Sequence, residues 1–309
     1  IPVKEVAEVT GFPEVMDGRV RTLHPKIHMC LLARSHVKED MELLKKEGVA
    51  PFDLVVVNLY PFEESFKKGL QGEELIEQID IGGPSLLRAS AKSFERVTVV
   101  CDPDDYETIL EKTKSGENTQ EFRQHLAAKV FEHTAFYDSL VAQVLKTESW
   151  EKSKTLTYGF RKKQNLRYGE NPHQKAVWYE TPISHTLSLN AAQQLQGKEL
   201  SFNNILDLEA AIGCVADFED PACVIVKHLT PCGVAQAHNI EKAYQLSFEG
   251  DPISAFGGIV ALNRPITVEL AEKLKGPFLE CIVAPDIRPD AQAILSQKKN
   301  LRVLILQSI

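Results

Sequence analysis

Short apolar runs rich in valine and isoleucine recur along the chain, and they constrain its fold more than any other feature. Runs of this length predict buried β-strands, which are typical of sheets covered on both faces. They lie within residues 52–62, 96–101, 223–226, 278–284 and 301–306. Between them, apolar residues at three- and four-residue intervals predict a long amphipathic helix from about Thr119 to Leu145. This alternation of strands and helices predicts an α/β protein.

The length and one polar stretch predict two domains. A chain of 309 residues is long enough for roughly two domains. Residues 146–157 are rich in Lys, Ser, Thr and Glu and read as a linker, so we expect one domain over residues 1–150 and another over residues 155–309. The sequence starts without Met and stops directly after a strand-like run, so we expect a fragment of something longer.

The composition argues against several classes of protein. A net charge of −8 is unlike that of a general nucleic-acid binder, which is usually basic. Apolar runs are far shorter than the roughly 20 residues of a membrane span. The six cysteines are scattered, without the spacing of a zinc site, and suit a reducing cytosol. We therefore expect a cytoplasmic protein that binds no nucleic acid, membrane or metal.

Two segments of the first half carry groups suited to a phosphorylated ligand. Arg19, Arg21 and Thr22 lie in a loop set by Gly18 and Pro25, and arginines bind phosphate in a bidentate manner. Taken alone, the segment favours a solvated basic loop over a phosphate site. Further along, Asn58 and Tyr60 are two residues apart and point to the same side of a predicted strand, just before it ends. A tyrosine there could also serve packing alone.

A glycine pair introduces the next candidate segment, residues 79–92. Gly82 and Gly83 precede Pro84, which suits the first turn of a helix, and such a helix start attracts anions. Asp80 lies before the turn and could take or orient a proton. One helix face is predicted to carry Ser85, Arg88 and Lys92. The segment matches no standard nucleotide-binding fingerprint. On the long helix, His133 is interpreted as a core or interface residue.

In the second half, the run Cys223–Val226 ends in Lys227 and His228. Pro231 and Gly233 are predicted to stop this strand and force a turn. A cation and an imidazole are then offered at the carboxyl end of a strand, where α/β proteins commonly bind ligands. Two surface residues at a strand end explain this segment equally well.

Three further segments of the second half concentrate polar groups or glycines. In residues 167–174, Gly169 and Pro172 predict a rigid turn, from which Arg167 and His173 would project; a turn stabilised by Asn171 is the alternative. Asn203 or Asn204 could cap the next predicted helix. Gly257 and Gly258 could allow a flat ring to approach beside Phe256.

Taken together and in order, these segments resemble the bifunctional AICAR formyltransferase/IMP cyclohydrolase family of purine biosynthesis. The matching stretches are GRVRTLHP (18–25), NLYPF (58–62), IDIGGPSLLRASAK (79–92), RYGENPHQ (167–174), LSFNNI (200–205), VKHLTPCG (226–233) and DPISAFGG (251–258). The resemblance covers essentially the whole chain. It implies a methylglyoxal-synthase-like parallel-sheet domain followed by a cytidine-deaminase-like α/β transformylase domain that has no zinc.

The resemblance also implies two reactions and a set of site residues. The first domain would cyclise formyl-AICAR to IMP with loss of water, and the second would transfer a formyl group from 10-formyltetrahydrofolate to AICAR, with His228 as proton shuttle and Lys227 as its electrostatic partner. The implied catalytic residues are Lys227, His228, Lys92, Asp80, Tyr60 and Arg21. The implied substrate-binding residues are Arg19, Thr22, Asn58, Gly82, Arg167, Tyr168, His173, Asn204, Phe256 and Gly257. The family also implies a homodimer.

The chain departs from the family pattern at a few positions. Arg21 stands where the family usually has Lys, Ser93 where Asn often follows Lys92, and Met29-Cys30 where Gly-Gly often stands. Family segments before and after this stretch have no counterpart here. Two hypotheses follow: the chain is part of the bifunctional enzyme, or it is a nucleotide-binding, dimer-forming remnant without turnover. A methylglyoxal-synthase-like regulatory module would leave the second half unexplained.

Overall fold

A computed structural model describes residues 2–183 and 187–309, apart from the side chain of Trp150. The chain divides into two compact units, residues 1–159 and 160–309. The boundary follows the predicted linker, in which Trp150–Lys152 forms a short 3₁₀ helix. Among the described helices, none is both long and apolar enough to cross a membrane.

The first unit surrounds a two-stranded parallel sheet with helices. Its strands are β1 (Leu54–Val56) and β2 (Thr98–Val100). Its helices are α1 (Val6–Thr10), α2 (Pro25–Leu32), α3 (Lys38–Lys46), α4 (Phe62–Lys67), α5 (Gly72–Ile76), α6 (Gly82–Lys92), α7 (Tyr106–Ser115) and α8 (Gln120–Leu145), with a 3₁₀ helix at Pro103–Asp105. The parallel pairing agrees with the predicted class of sheet.

Helix α8 forms where its periodicity predicted it. The hydroxyl of Thr119 caps its start by accepting a hydrogen bond from the backbone N–H of Phe122, which satisfies one of the free donors there. Its apolar face buries Leu126 and Val130 against Leu87 of α6 and against β2. This packing fixes α6, whose start borders the candidate site described below.

The predicted strand over residues 52–62 is wrong in length and burial. Only Leu54–Val56 forms a strand, and the side chains of Leu54 and Val56 are 53% and 48% exposed. The physical reason is pairing: within the described residues β1 has β2 as its single partner, so its other edge and one of its faces stay open. Beyond Val57 the chain leaves the sheet toward α4.

The second unit is built on a six-stranded mixed sheet in the order β5-β10-β9-β8-β6-β7. Those strands are β5 (Gln193–Gln196), β6 (Ala222–Lys227), β7 (Thr230–Gln236), β8 (Gly258–Leu262), β9 (Leu279–Ala284) and β10 (Arg302–Ile305), and a separate hairpin pairs β3 (Arg161–Leu166) with β4 (Ala176–Glu180). The helices are α9 (Phe202–Val215), α10 (Ile240–Gly250), α11 (Val268–Lys275) and α12 (Pro289–Leu295), with a 3₁₀ helix at Leu189–Ala191. Strands β8, β9 and β10 are parallel to one another.

Both faces of this sheet are covered, as the apolar runs predicted. Cys223 and Ile225 of β6 face a core shared with α10, α11 and α12, whereas Val224 and Val226 face a core shared with α9. This is the alternation expected of a strand. Cys223 is fully buried and packs as a small hydrophobic residue, and this burial raises the pKa of its thiol to about 12.

The turn after β6 lies earlier than predicted. Pro231 and Gly233 do not stop the strand but belong to β7, and the chain reverses at His228 and Leu229. Lys227 pairs with Thr230, so two residues form the turn. Proline is tolerated in β7 because β7 is the last strand of the sheet and its register with β6 shifts between Ile225 and Val226.

Candidate functional site

A cavity of about 630 Å³ in the first unit gathers most of the residues predicted for that half. It lies among the loop around residues 14–22, the end of β1 and the start of α6. Seven predicted residues line it: Arg19, Arg21, Thr22, Asn58, Tyr60, Asp80 and Gly82. Three separate segments of the sequence, within residues 14–22, 57–60 and 76–86, therefore supply one site, as expected where the end of a strand meets the start of a helix.

A strained loop carries the two arginines to the cavity. Val15 and Val20 form an isolated antiparallel bridge, and the chain turns between them through Met16, Asp17 and Gly18 with φ of 56°, 52° and 88°. Left-handed backbone is unfavourable for residues other than glycine, and such strain collects at functional sites.

Each arginine is paired with a carboxylate of the cavity. Arg19 pairs with Glu77, and Arg21 Nη1 lies 3.5 Å from Glu14 Oε2. All four side chains are more than 40% exposed, so these ion pairs contribute little stability. A phosphate dianion could therefore replace either carboxylate without a large loss.

Asp80 joins the end of β1 to the start of α6. Its Oδ1 accepts a hydrogen bond of 2.7 Å from Gly83 N, and its Oδ2 accepts one of 3.3 Å from Tyr60 N. Its own backbone N–H donates to the hydroxyl of Tyr137 at 2.8 Å. A Cβ on Gly83 would lie 2.5 Å from Asp80 Oδ2, so glycine is required there. The helix start predicted to attract anions is thus partly satisfied by the protein's own carboxylate.

Tyr106 contacts a lining residue of this cavity, Asn58, and the sequence interpretation missed it. The amide Nδ2 of Asn58 lies 3.1 Å from the Tyr106 hydroxyl, which in turn can donate to Asn58 Oδ1 at 3.4 Å. Tyr106 begins α7, directly after the loop that follows β2. Because β1 and β2 are parallel, residues after both strands meet at one edge of the sheet. That rule would have identified Tyr106.

The structure does not bring Lys92 to this cavity. Lys92 ends α6, whose first residue is Gly82, so the helix separates the two by about 15 Å along its axis. Lys92 instead lines a different, apolar hollow of about 660 Å³ together with Arg88 and Phe131, whose ring lies 5.3 Å from the Arg88 guanidinium carbon. The predicted shared face of Arg88 and Lys92 is confirmed.

In the second unit, the ammonium of Lys227 is held by backbone carbonyls. Its Nζ lies 3.0 Å from the carbonyl oxygens of both Phe256 and Gly257. Gly257 has a left-handed φ of 70°, and its N–H donates to Phe278 O at 2.8 Å. The Phe256 side chain is 65% exposed, and its ring centroid lies 5.2 Å from that of Phe278. Two carbonyls use two of the three ammonium protons, which leaves one for a ligand.

The hairpin residues next to Lys227 contact helix α9. The backbone N–H of Leu229 donates to Asp207 Oδ1 at 2.8 Å, and His228 is exposed beside it. Asp207 was also missed from the sequence. It lies three residues after Asn204 on α9, so the helical spacing could have suggested that they share a face.

Asn204 caps α9 differently from the prediction. Ser201 is the capping residue: its hydroxyl accepts from Asn204 N at 3.2 Å, and its N–H donates to Asn204 Oδ1 at 3.1 Å. This reciprocal pair is a capping box. It buries Asn204 and uses the amide oxygen of its side chain.

The turn over residues 167–174 lies against the start of α9 through a hydrogen bond from Asn203 Nδ2 to Glu170 O. It is stabilised by Gln174 rather than by the Asn171 side chain, since Gln174 Oε1 accepts from Asn171 N at 2.7 Å. Arg167 lies over the ring of Tyr168, with its guanidinium carbon 5.9 Å from the ring centroid, while His173 is exposed. Polar groups from three segments therefore lie around α9: the turn over residues 167–174, the start of α9 itself, and the turn at His228 and Leu229.

Metal-ligating groups do not cluster in the part of the chain that the structure describes. No set of three or more His, Cys, Asp or Glu side chains there is arranged to hold a metal ion.

Comparison with known families gives two adjoining matches. The family model described as AICARFT/IMPCHase bienzyme matches residues 90–309, and the model described as MGS-like domain matches residues 1–85. The first model alone covers more than half of the chain.

Individual relatives carry the same description. The "Bifunctional purine biosynthesis protein PurH" of Lactiplantibacillus plantarum is 52% identical over 98% of this chain and 59% of its own length. The protein of that name from Thermoanaerobacter sp. is 51% identical over 99% of this chain and 61% of its own length. Among solved structures, the crystal structure of ForH aligns with 47% of this chain and 76% of that chain at 32% identity, with a TM-score of 0.38. The chain thus spans about 60% of the length of the curated relatives it matches.

Proposed function

The chain belongs to the AICARFT/IMPCHase bienzyme family, and from this premise we propose that it contributes to both reactions of the family, formyl transfer to AICAR and cyclisation of formyl-AICAR to IMP. The resemblance read from the sequence is confirmed at the level of the family, and so is the fold class: an MGS-like domain followed by an AICARFT/IMPCHase domain, with mixed α/β structure. We assign cyclisation to residues 1–150 and formyl transfer to residues 155–309.

The observation that carries the cyclisation proposal is the convergence of seven predicted residues on one cavity. In that proposal, Arg19, Arg21 and Thr22 bind the phosphate of the nucleotide. The carboxamide nitrogen of formyl-AICAR attacks the formyl carbon, and the formyl oxygen gains negative charge as the C–N bond forms. The hydroxyl of Tyr60 donates a hydrogen bond to that oxygen. The oxygen takes up two protons, equal to those lost by the carboxamide nitrogen and the formamide nitrogen, and leaves as water as the C–O bond breaks and the ring C=N bond forms.

Two roles in this reaction are proposed for Asp80. Its hydrogen bonds to Tyr60 N and Gly83 N hold the edge of the cavity in place. Its carboxylate also lies at the lining, where it can accept a proton from the attacking amide. Lys92 lies outside the cavity, and its part in cyclisation stays a prediction.

For formyl transfer, the second unit offers the exposed imidazole of His228 on the residue that follows Lys227, whose ammonium is held by two carbonyls. The amine of AICAR attacks the formyl carbon of 10-formyltetrahydrofolate, and His228 takes the amine proton. His228 returns this proton to N10 as the bond between the formyl carbon and N10 breaks and tetrahydrofolate leaves. Lys227 keeps one N–H free of its two carbonyl contacts, and this proton can stabilise the developing oxyanion. Arg167, Tyr168, His173, Asn204, Phe256 and Gly257 are proposed to surround the nucleotide and the folate.

The remaining features of the proposal concern the whole protein rather than this stretch. We propose 10-formyltetrahydrofolate as the co-substrate, no catalytic metal, a homodimer, and a cytoplasmic location. The purine precursors AICAR and formyl-AICAR are the proposed small-molecule partners.

Separate assays of the two half-reactions test this assignment in the full-length gene product. We expect His228→Ala to lower folate-dependent formylation of AICAR by at least about a hundredfold, the usual contribution of a general base, and to leave cyclisation of supplied formyl-AICAR intact. Tyr60→Phe should do the reverse. His238→Ala is the matched control, since His238 is an exposed histidine of the same unit. Equal loss of both activities in a folded His228→Ala protein would contradict the division of labour.

A nucleotide-binding remnant without turnover is the second candidate, and the coverage of about 60% of the relatives' length favours it. Calorimetry with AICAR on the 309-residue chain, beside both activity assays, separates the two. Binding without turnover would support the remnant for this stretch.

A further inference from the structure

The turn that carries His228 has an unfavourable backbone. His228 and Leu229 form the two-residue connection between β6 and β7, with φ of 51° and 63°. Two consecutive left-handed residues characterise a type I′ hairpin, which strongly prefers Asn-Gly or Gly-Gly at these positions. Neither residue here is glycine or asparagine, so the surrounding structure must hold the turn in place.

One side-chain contact from outside the hairpin reaches this turn. Asp207 Oδ1 accepts the hydrogen bond from Leu229 N at 2.8 Å, across 22 positions of sequence. Within the hairpin, the hydroxyl of Thr230 contributes a longer contact of 3.4 Å to His228 O. A charge-assisted bond from a carboxylate to a backbone N–H is the stronger of these two types.

Asp207 is itself rigidly placed. Helix α9 starts at the Ser201–Asn204 capping box and packs through Leu208, Ala211 and Ile212 against the sheet that contains β6. Asp207 is half-buried at the side of this helix. The carboxylate of Asp207 therefore links the turn to a helix that is packed on the core of the unit.

We infer that Asp207 is a positioning residue for His228: by fixing the peptide after His228, it holds the imidazole where the proposed formyl transfer needs it. This inference rests on the proposed function of His228. Lys227 is tied to the Phe256 and Gly257 carbonyls, and the Leu229 peptide is tied to α9, so the ammonium and the backbone that carries the imidazole are each held by a separate contact.

Three substitutions at one position separate positioning from charge and from stability. Asp207→Ala removes the acceptor, Asp207→Asn keeps an oxygen that can accept from Leu229 N, and Asp207→Glu moves the carboxylate outward. In the full-length gene product we expect Asp207→Ala to lower kcat for formyl transfer about tenfold or more, while KM for AICAR changes less than about twofold. Asp207→Asn should recover most of kcat, and cyclisation of supplied formyl-AICAR should be unchanged in all three.

A matched control lies on the same helix. Glu209 Oε1 accepts a hydrogen bond from Leu189 N at 3.1 Å, so Glu209→Ala also removes a carboxylate-to-backbone bond from α9 but leaves the turn untouched. We expect it to lower the melting temperature without lowering kcat. Amide hydrogen exchange at Leu229 provides a second readout, because only loss of the Asp207 bond should accelerate it.

Several results would overturn the inference. They are a wild-type kcat in Asp207→Ala, equal losses of kcat in Asp207→Ala and Glu209→Ala, an Asp207→Asn protein as impaired as Asp207→Ala, or unchanged exchange at Leu229. Failure of the proposed function is recognised separately: His228→Ala would then retain formyl transfer, and this would overturn the role of both residues. Loss of transfer in His228→Ala together with full activity in Asp207→Ala would overturn the positioning role alone.

Discussion

A Cβ atom on Gly257 would lie 2.9 Å from the ammonium nitrogen of Lys227. The same glycine has φ of 70° and provides one of the two carbonyl oxygens that hold the ammonium. The lysine position therefore depends on glycine for space and for backbone conformation, while the backbone carbonyl at this position supplies an acceptor. This relationship explains why a glycine is needed at this point of the proposed transfer site, apart from any contact with a ligand.

From this relationship, Gly257→Ala should impair formyl transfer selectively. The added methyl group displaces the ammonium, and the left-handed backbone becomes unfavourable by about 1–2 kcal/mol. A displacement of about 1 Å at a reacting group can lower a rate a hundredfold, so we expect a loss of transfer of at least about tenfold. The two half-reactions, measured separately in the full-length gene product, should show unchanged cyclisation.

Gly213→Ala is the control for this prediction. Gly213 lies inside α9, and a Cβ there would meet nothing within 4 Å. Alanine should stabilise the helix by about 0.5–1 kcal/mol and leave transfer unchanged. A Gly257→Ala protein with normal transfer would show that the position of Lys227 is unimportant for the reaction.

In the first unit, the hydroxyl of Tyr106 is expected to matter through Asn58. Tyr106→Phe removes the group that lies 3.1 Å from Asn58 Nδ2 and 3.4 Å from Asn58 Oδ1. The amide is then free to rotate at the cavity, so we expect cyclisation of formyl-AICAR to slow by about three- to tenfold, with formyl transfer intact. Tyr179→Phe, an exposed tyrosine of the second unit, should change neither activity. Unchanged cyclisation in Tyr106→Phe would exclude an orienting role.

Local patterns in the sequence predicted the long helix and the buried strands. Apolar residues at three- and four-residue intervals over residues 119–145 predicted α8. Runs rich in β-branched residues predicted β2, β6, β9 and β10, because a strand that is buried on both faces needs continuous apolar residues. The residues of the first cavity could likewise be predicted, since each lies in a loop set by turn residues, follows a strand or lies at a helix start.

Features set by distant contacts were not predictable in this way. No glycine in the sequence indicates the turn at His228 and Leu229. The turn is held instead by a hydrogen bond from Leu229 N to Asp207, which lies on α9. Pro231 and Gly233 gave a turn signal that the edge position of β7 overrides. Similarly, the helical spacing put Lys92 and Arg88 on one face but gave no indication that this face opens onto a hollow other than the cavity.

Arg96 is predicted to be a principal stabilising residue of the first unit. Its guanidinium donates to the carbonyl oxygens of Phe52, Cys30 and Leu31, and so joins the end of α2 to the chain entering β1. Burial lowers the pKa of Arg96, yet the three carbonyls match its charged form. Arg96→Met would leave three carbonyls short of donors, and we expect a loss of about 2–4 kcal/mol in the free energy of unfolding.

Urea unfolding of the purified 309-residue chain measures this loss. Lys114→Met removes an exposed cation of the same unit and should change the free energy of unfolding by less than about 0.5 kcal/mol. A similarly small effect for Arg96→Met would mean that water replaces the guanidinium at these carbonyls.

Lys129 links two carboxylates and makes the stability of the first unit depend on pH. Its Nζ lies 2.6 Å from Asp102 Oδ2 and 2.7 Å from Asp105 Oδ2. Burial alone would lower the pKa of Lys129, but the hydrogen bonds to both aspartates outweigh it and raise the pKa to about 12. The hydrogen bond from Lys129, helped by one from Asp104 N and by the charge of His133, lowers the pKa of Asp102.

The signs of these shifts define the pH range of the effect. The lowered pKa of Asp102 adds stability at pH values above 3.8, its pKa in the unfolded chain, and this stability is lost as the pH falls through the pKa of the folded state. The raised pKa of Lys129 adds stability at pH values below 10.5, its pKa in the unfolded chain, and this stability is lost as the pH rises through about 12. About a third of each side chain is exposed, so we expect Lys129→Met to lower the free energy of unfolding by only about 1 kcal/mol at pH 7. In urea titrations the difference from wild type should shrink as the pH falls below about 4 and Asp102 becomes protonated. Lys38→Met is the control: it breaks the exposed pair with Glu42 and should not change the free energy of unfolding measurably at pH 7 or at pH 3. An effect of Lys129→Met that persists at pH 3 would assign the loss to packing of the lysine stem.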